Sequence, residues 1–147
     1  MTAFIKPKRS VNSVFLHCSA SDNPAHDNIV TIRKWHVEGN KWADVGYHYF
    51  IQSNGTIETG RPLENIPAAQ AGFNTGTIAI CMHGLTKFTK EQERALTKLC
   101  GEINKAYAGQ IRFRGHKEVA ARDCPVYDYK KILKLNDKGF MPLPFKK

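Results

Sequence analysis

A chain of 147 residues with 41% apolar and 24% charged residues has the length and composition of one soluble domain, able to bury a core without disulfides. Its net charge of +9 points to a polyanionic partner, either nucleic acid or a bacterial envelope, and does not choose between them. No apolar run approaches the roughly 20 residues that cross a bilayer, and no signal-peptide core follows the charged start. The four cysteines (Cys18, Cys81, Cys100, Cys124) lack the paired spacing of a four-cysteine zinc site or a disulfide frame.

After an N-terminal arm (1–10), the apolar run Ser13-Val14-Phe15-Leu16-His17 predicts a buried strand that ends in a histidine. Asp27 or Asn28 can cap a following helix with Ile29, Ile32 and Trp35 on one face, stopped by Gly39-Asn40. Val45 to Gln52 and Thr56 to Thr59 flank Ser53-Asn54-Gly55, a hairpin signal. Thr77 to Met82 reads as another buried strand. Thr89 with Gln92 makes a capping box, and Leu96, Leu99, Cys100, Ile103 and Tyr107 follow at helical spacing, so Cys100 belongs to the core. Ile111-Arg112-Phe113 predicts a short strand leading to His116, and a last helix is expected over 127–135. The tail 136–147, with Gly139, Pro142 and Pro144, reads as irregular. The expected fold class is α/β: a single domain over 11–135 with a mixed central β-sheet and helices packed on its faces.

Three residues stand out as metal ligands. His17 ends one strand, His116 follows another, and Cys124 comes after a loop of seven residues that can return to the same ion. Two His and one Cys leave a fourth tetrahedral position open, the arrangement of a catalytic zinc rather than a structural one. The residues alone leave a second reading open, in which the histidines are hydrogen-bonded structural groups and the cysteine fills the core.

The stretches Phe15-Leu16-His17-Cys18-Ser19-Ala20, Ile32-Arg33-Lys34-Trp35-His36 and Trp42-Ala43-Asp44-Val45-Gly46-Tyr47-His48 resemble the phage-type N-acetylmuramoyl-L-alanine amidases. So do Ala71-Gly72-Phe73-Asn74, Thr77 to Cys81, His116 to Ala120 and Cys124 to Asp128, in the same order over about residues 11–135. The wider family includes bacterial amidases and animal peptidoglycan recognition proteins. The resemblance implies a fold of that kind and hydrolysis of the bond between N-acetylmuramic acid and L-alanine in peptidoglycan. It implies one Zn2+ held by His17, His116 and Cys124. Many relatives place aspartate at the last position, and Asp123 precedes Cys124; the following proline and the softness of thiolate favour Cys124.

Further roles rest on the same resemblance. Tyr47 matches a catalytic tyrosine whose phenol can hold an oxyanion. Arg122 stands where a phage relative has lysine; a guanidinium can stabilise negative charge but cannot exchange a proton. Trp42, Phe73 and Asn74 match positions lining the substrate groove. His48 is a candidate proton donor to the leaving amine unless it faces away from Tyr47, and His36 reads as a buried structural residue. Gln70 replaces a histidine of the phage relative, so any role of that histidine is expected to be absent. The expected setting is a phage or prophage endolysin, monomeric, made in the host cytoplasm and reaching the wall through a pore-forming helper. Two other function classes are a non-catalytic peptidoglycan-binding module and a regulator that binds phage RNA polymerase. No nucleic-acid-binding signature organises the basic residues, so direct nucleic-acid contact is not expected.

Overall fold

The computed structural model describes residues 4–121 and 123–143. The apolar run near the start forms β1 (Ser13–Cys18), buried along its whole length. A strand without a solvent face must be covered on both sides and paired on both edges. Accordingly β1 pairs in parallel with β4 (Thr77–Met82) on one edge and with β5 (Arg112–Gly115) on the other. β2 (Tyr49–Ile51) extends the sheet in parallel beyond β4, and β3 (Ile57–Thr59) joins β2 antiparallel, giving the order β3-β2-β4-β1-β5. This is the mixed sheet expected.

Alternation divides β1 between two environments. Val14, Leu16 and Cys18 face the larger core with Ile78, Ile80 and Met82, beneath α2 (Lys90–Ala106), which contributes Leu96, Leu99, Cys100 and Ile103. Both halves of the Thr89–Gln92 capping box form, so two of the donors at the start of α2 are met. The opposite face carries a smaller cluster of Ile29, Ile32, Val45, Phe50 and Cys81, with Tyr47 packed against it. His17 belongs to this thinner side.

Several boundaries depart from expectation. Asn28 caps α1 (Ile29–Lys34) by accepting from Thr31 N at 2.8 Å, whereas Asp27 instead accepts from Ser53 N. Beyond Lys34 the chain widens into a π-helical turn (Trp35–Gly39), where Asn40 N bonds Trp35 O. Trp35, at the start of that turn, is exposed rather than packed in the cluster of Ile29 and Ile32, and its ring meets His26 edge-on at 4.7 Å. The strand expected from Val45 is regular only over Tyr49–Ile51, because Arg61 reaches back to the carbonyls of Val45 and Asp44 and holds the upstream stretch as a loop. The last helix, α3 (Tyr129–Ile132), is a single turn; Lys134 takes a left-handed φ of 55° just after it. The tail through residue 143 is docked: Phe113 N donates to Gly139 O at 2.8 Å, so it covers the outer edge of β5. No described helix is long and apolar enough to cross a membrane.

Two glycines predict stability changes of opposite sign. A Cβ on Gly46 would lie 2.2 Å from Ala68 O, a backbone atom that cannot swing aside. Gly101, inside α2, has nothing within 4 Å of that position. Gly46→Ala should cost about 1–3 kcal/mol by overpacking, and Gly101→Ala should add about 0.5–1 kcal/mol by helix propensity. Thermal denaturation reads both; equal melting temperatures for the two variants would contradict this packing.

Candidate metal centre

Because β1, β4 and β5 are parallel, their carboxyl ends share one edge of the sheet, where open α/β folds gather ligand-binding groups. Leu16 stands opposite Gly115, and the residue that follows each of them is a histidine. The rings of His17 and His116 therefore lie together, with centroids 4.7 Å apart and planes at 54°. His116 opens a 3-10 turn (His116–Glu118) in which Gly115 N donates to Glu118 Oε2 at 2.8 Å. Lys117 N then donates to Cys124 O at 2.6 Å, folding the intervening loop back on itself. Cys124 Sγ ends 3.9 Å from His17 Nδ1 and accepts from Cys18 N at 3.4 Å. One donor atom from each of His17, His116 and Cys124 lies within 4.8 Å of the others.

Burial pushes the His17 imidazole down to about 3, so the ring is neutral, the form that binds metals. A hydrogen bond between the Cys18 and Cys124 thiols favours a single thiolate in that pair, holding the Cys18 thiol down and pushing the Cys124 thiol up. Of the two, Cys124 presents the sulfur that converges with the histidines. The main chain of His17 is fixed by Tyr127, whose hydroxyl donates to His17 O at 2.9 Å.

The centre opens into a cleft of about 840 Å3. Tyr47 lines it, half-buried, its ring 5.1 Å from that of His17, and burial raises its phenol well above the ordinary range. Trp42 lines it too and packs on His36 at 4.6 Å. Asn74 is a further lining residue, but its Oδ1 is occupied, accepting from Ala69 N and Gln70 N. Phe73, on the same loop, is 46% exposed and is not part of the lining. Arg122 lies outside the described residues.

Two lining or contacting groups escaped the sequence reading. His36 is only half-buried; its Nδ1 accepts from Gly46 N at 2.8 Å while the ring borders the cleft. Gln70 is fully buried, with Oε1 2.9 Å from His17 Nε2. A loop glutamine 53 residues from its partner carries no pattern that could announce this contact. His48, by contrast, is a strand clamp. Its Nδ1 accepts from Ala79 N at 3.0 Å and its Nε2 donates to Asn65 O at 2.8 Å, leaving no nitrogen for a leaving amine.

The family profile described as N-acetylmuramoyl-L-alanine amidase matches residues 7–127. The endolysin of Escherichia phage T7 is 33% identical over 140 residues, covering 90% of this chain and 91% of that protein. The peptidoglycan-recognition protein SC1a of Drosophila melanogaster is 26% identical over 101 residues, covering 65% of this chain and 54% of its own length. Among solved structures, the endolysin amidase LysCS from Clostridium intestinale URNW superposes with a TM-score of 0.76 at 24% identity, covering 86% of this chain and 83% of that one.

The clamp formed by His48 makes stability depend on pH. Burial lowers its ring to about 4, whereas an unfolded histidine titrates near 6.5. Its contribution is complete above pH 6.5 and is lost as pH falls, because the unfolded chain takes up a proton that the native ring refuses. The loss reaches roughly 3 kcal/mol by pH 4. Urea denaturation in the presence of a chelator should show this slope between pH 6.5 and pH 4, reduced by that amount in His48→Gln. Parallel profiles for the two proteins would contradict a neutral buried ring.

Proposed function

The chain belongs to the N-acetylmuramoyl-L-alanine amidase family, and on that premise we propose that it is a zinc-dependent endolysin that cleaves the lactyl–L-alanine amide of peptidoglycan. The observation that carries this reading is the convergence of His17, His116 and Cys124 at the floor of an open cleft, with Tyr47 beside them.

The donor set fits zinc. Two imidazoles and a thiol are the nitrogen and sulfur ligands zinc takes, among the described residues no carboxylate that would suit calcium or magnesium joins the group, and three protein donors leave a position for substrate or water. Zinc held there supplies Lewis acidity toward the amide carbonyl and lowers the pKa of water to about 7. The remaining work falls to this chain's own residues. The Tyr47 hydroxyl donates a hydrogen bond to the carbonyl oxygen as negative charge builds on it. Arg122, two residues before Cys124 and charged at any working pH, adds electrostatic stabilisation to that charge without moving a proton. Trp42 offers an aromatic wall to the sugar and lactyl group; Phe73 and Asn74 sit on the loop that receives the stem peptide. The net charge of +9 favours approach to an anionic envelope.

The deciding assay is digestion of purified peptidoglycan analysed by mass spectrometry. Stem peptides beginning at L-alanine should appear, vanish with a chelator and return with zinc; sugar fragments in their place would refute the bond assignment. Cys124→Ala should lose zinc and lysis while remaining folded, and full zinc occupancy in that variant would remove Cys124 from the ligand set. Tyr47→Phe should retain zinc and lose about 100-fold or more in kcat. Arg122→Lys should stay within a few-fold of wild type, and Arg122→Gln should fall at least about 10-fold if charge is what the position supplies.

A further inference from the structure

Gln70 lies in the loop between β3 and β4 with no exposed surface, a place where an amide is costly unless its hydrogen bonds are met. Its Nε2 lies 3.1 Å from Phe73 O and 2.8 Å from Thr77 Oγ1, and its Oε1 lies 2.9 Å from His17 Nε2. These contacts have only one consistent set of protons. A carbonyl oxygen can only accept, so the amide nitrogen must face Phe73 O. The Thr77 hydroxyl donates to Asn74 O at 2.8 Å and thus accepts from Gln70. The amide oxygen is left facing His17, and because it too can only accept, His17 Nε2 must carry the hydrogen. In a neutral imidazole the other nitrogen then holds the lone pair. That nitrogen, Nδ1, is the one that faces Cys124 Sγ at 3.9 Å.

We propose that Gln70 is the positioning residue of the metal centre: by accepting from Nε2–H it fixes the tautomer and ring orientation that leave His17 Nδ1 free to ligate. The inference rests on the zinc amidase reading and adds to it a residue that touches neither substrate nor metal. The same side-chain amide ties the ligand to the loop of Phe73 and Asn74, since its Nε2 donates to Phe73 O at 3.1 Å. Groove wall and metal ligand thus form one hydrogen-bonded unit. An isosteric apolar side chain at position 70 breaks both connections. An imidazole there offers one acceptor for His17 and one donor for Thr77 and can restore them.

The test compares wild type, Gln70→Met and Gln70→His. Long-range proton–nitrogen NMR of the metal-free protein reads the His17 tautomer directly, and competition with a chromophoric chelator reads zinc affinity; melting in excess chelator confirms that each variant is folded. Wild type should show Nε2–H alone, Gln70→Met a mixture of tautomers with zinc affinity lowered 10- to 100-fold, and Gln70→His recovery of most of that loss. A wild-type Nδ1–H tautomer overturns the proposal, whatever the fate of the Met variant. So does zinc affinity within two-fold of wild type in a folded Gln70→Met. Failure of the wild type to bind zinc at all overturns the amidase reading and this proposal together, and is distinguished from the other outcomes by being seen before any substitution is made.

Discussion

His17 and His116 are distant in sequence and meet because β1 and β5 run parallel with Leu16 opposite Gly115. A shift of that pairing by one residue would turn His17 toward α2 and deliver Leu16 to the cleft. Parallel neighbours cannot be set by a tight turn, since the chain must cross over between them. Here β4 reaches β5 through α2, passing over β1. The register is therefore held by burial: every residue of β1 is enclosed, and alternate side chains fit either the broad apolar floor under α2 or the narrow polar edge opposite.

The unequal thickness of the two faces explains where the chemistry sits. Beneath α2 the core is mainly apolar, with Gln92 and Asn104 as the buried polar residues of the helix, and Cys100 there is only packing, its thiol pushed upward by burial. On the α1 side a small cluster of Ile29, Ile32, Val45 and Phe50 covers part of the sheet and leaves the carboxyl ends of the strands open to loops. Those loops bring Tyr47, Trp42 and Asn74 around the histidines. Polar groups drawn into this region are met by specific partners, as with His48 between Ala79 and Asn65. Neutral imidazoles at such depth are stable only because each has hydrogen-bonding groups ready to receive it.

The local signals in the sequence were the dependable ones. The Thr89–Gln92 box, the Asn54-Gly55 hairpin and the apolar runs of β1 and β4 appear where short-range chemistry puts them. The candidate ligand trio became legible through motif resemblance, since spacing alone left His17 and Cys124 open to a structural reading. Features created by distant contacts were not legible. The π-helical turn that begins at Trp35 is a choice among nearly equal helical hydrogen-bond patterns, and the Arg61 contacts that interrupt the strand at Val45 depend on the finished fold. Gln70 was read as the loss of a histidine; an amide and an imidazole share the ability to accept at one atom and donate at another, and only the surrounding donors reveal it.

The docked tail closes the outer edge of β5 and then runs back along the sheet: Arg112 bridges to Phe140, Asn104 Nδ2 meets Pro142 O, and Leu143 packs about Gly109. Gly109 precedes β5, so this contact lies at the amino end of the strand, whereas the histidines occupy the carboxyl end. Leu143 thus lies at the pole of the domain opposite the cleft. A targeting module grafted at that point would leave the mouth of the cleft unobstructed. Grafting at the same point would also keep the β5 edge capped, so the architecture tolerates modular extension at its C-terminal side without exposing a strand to intermolecular pairing.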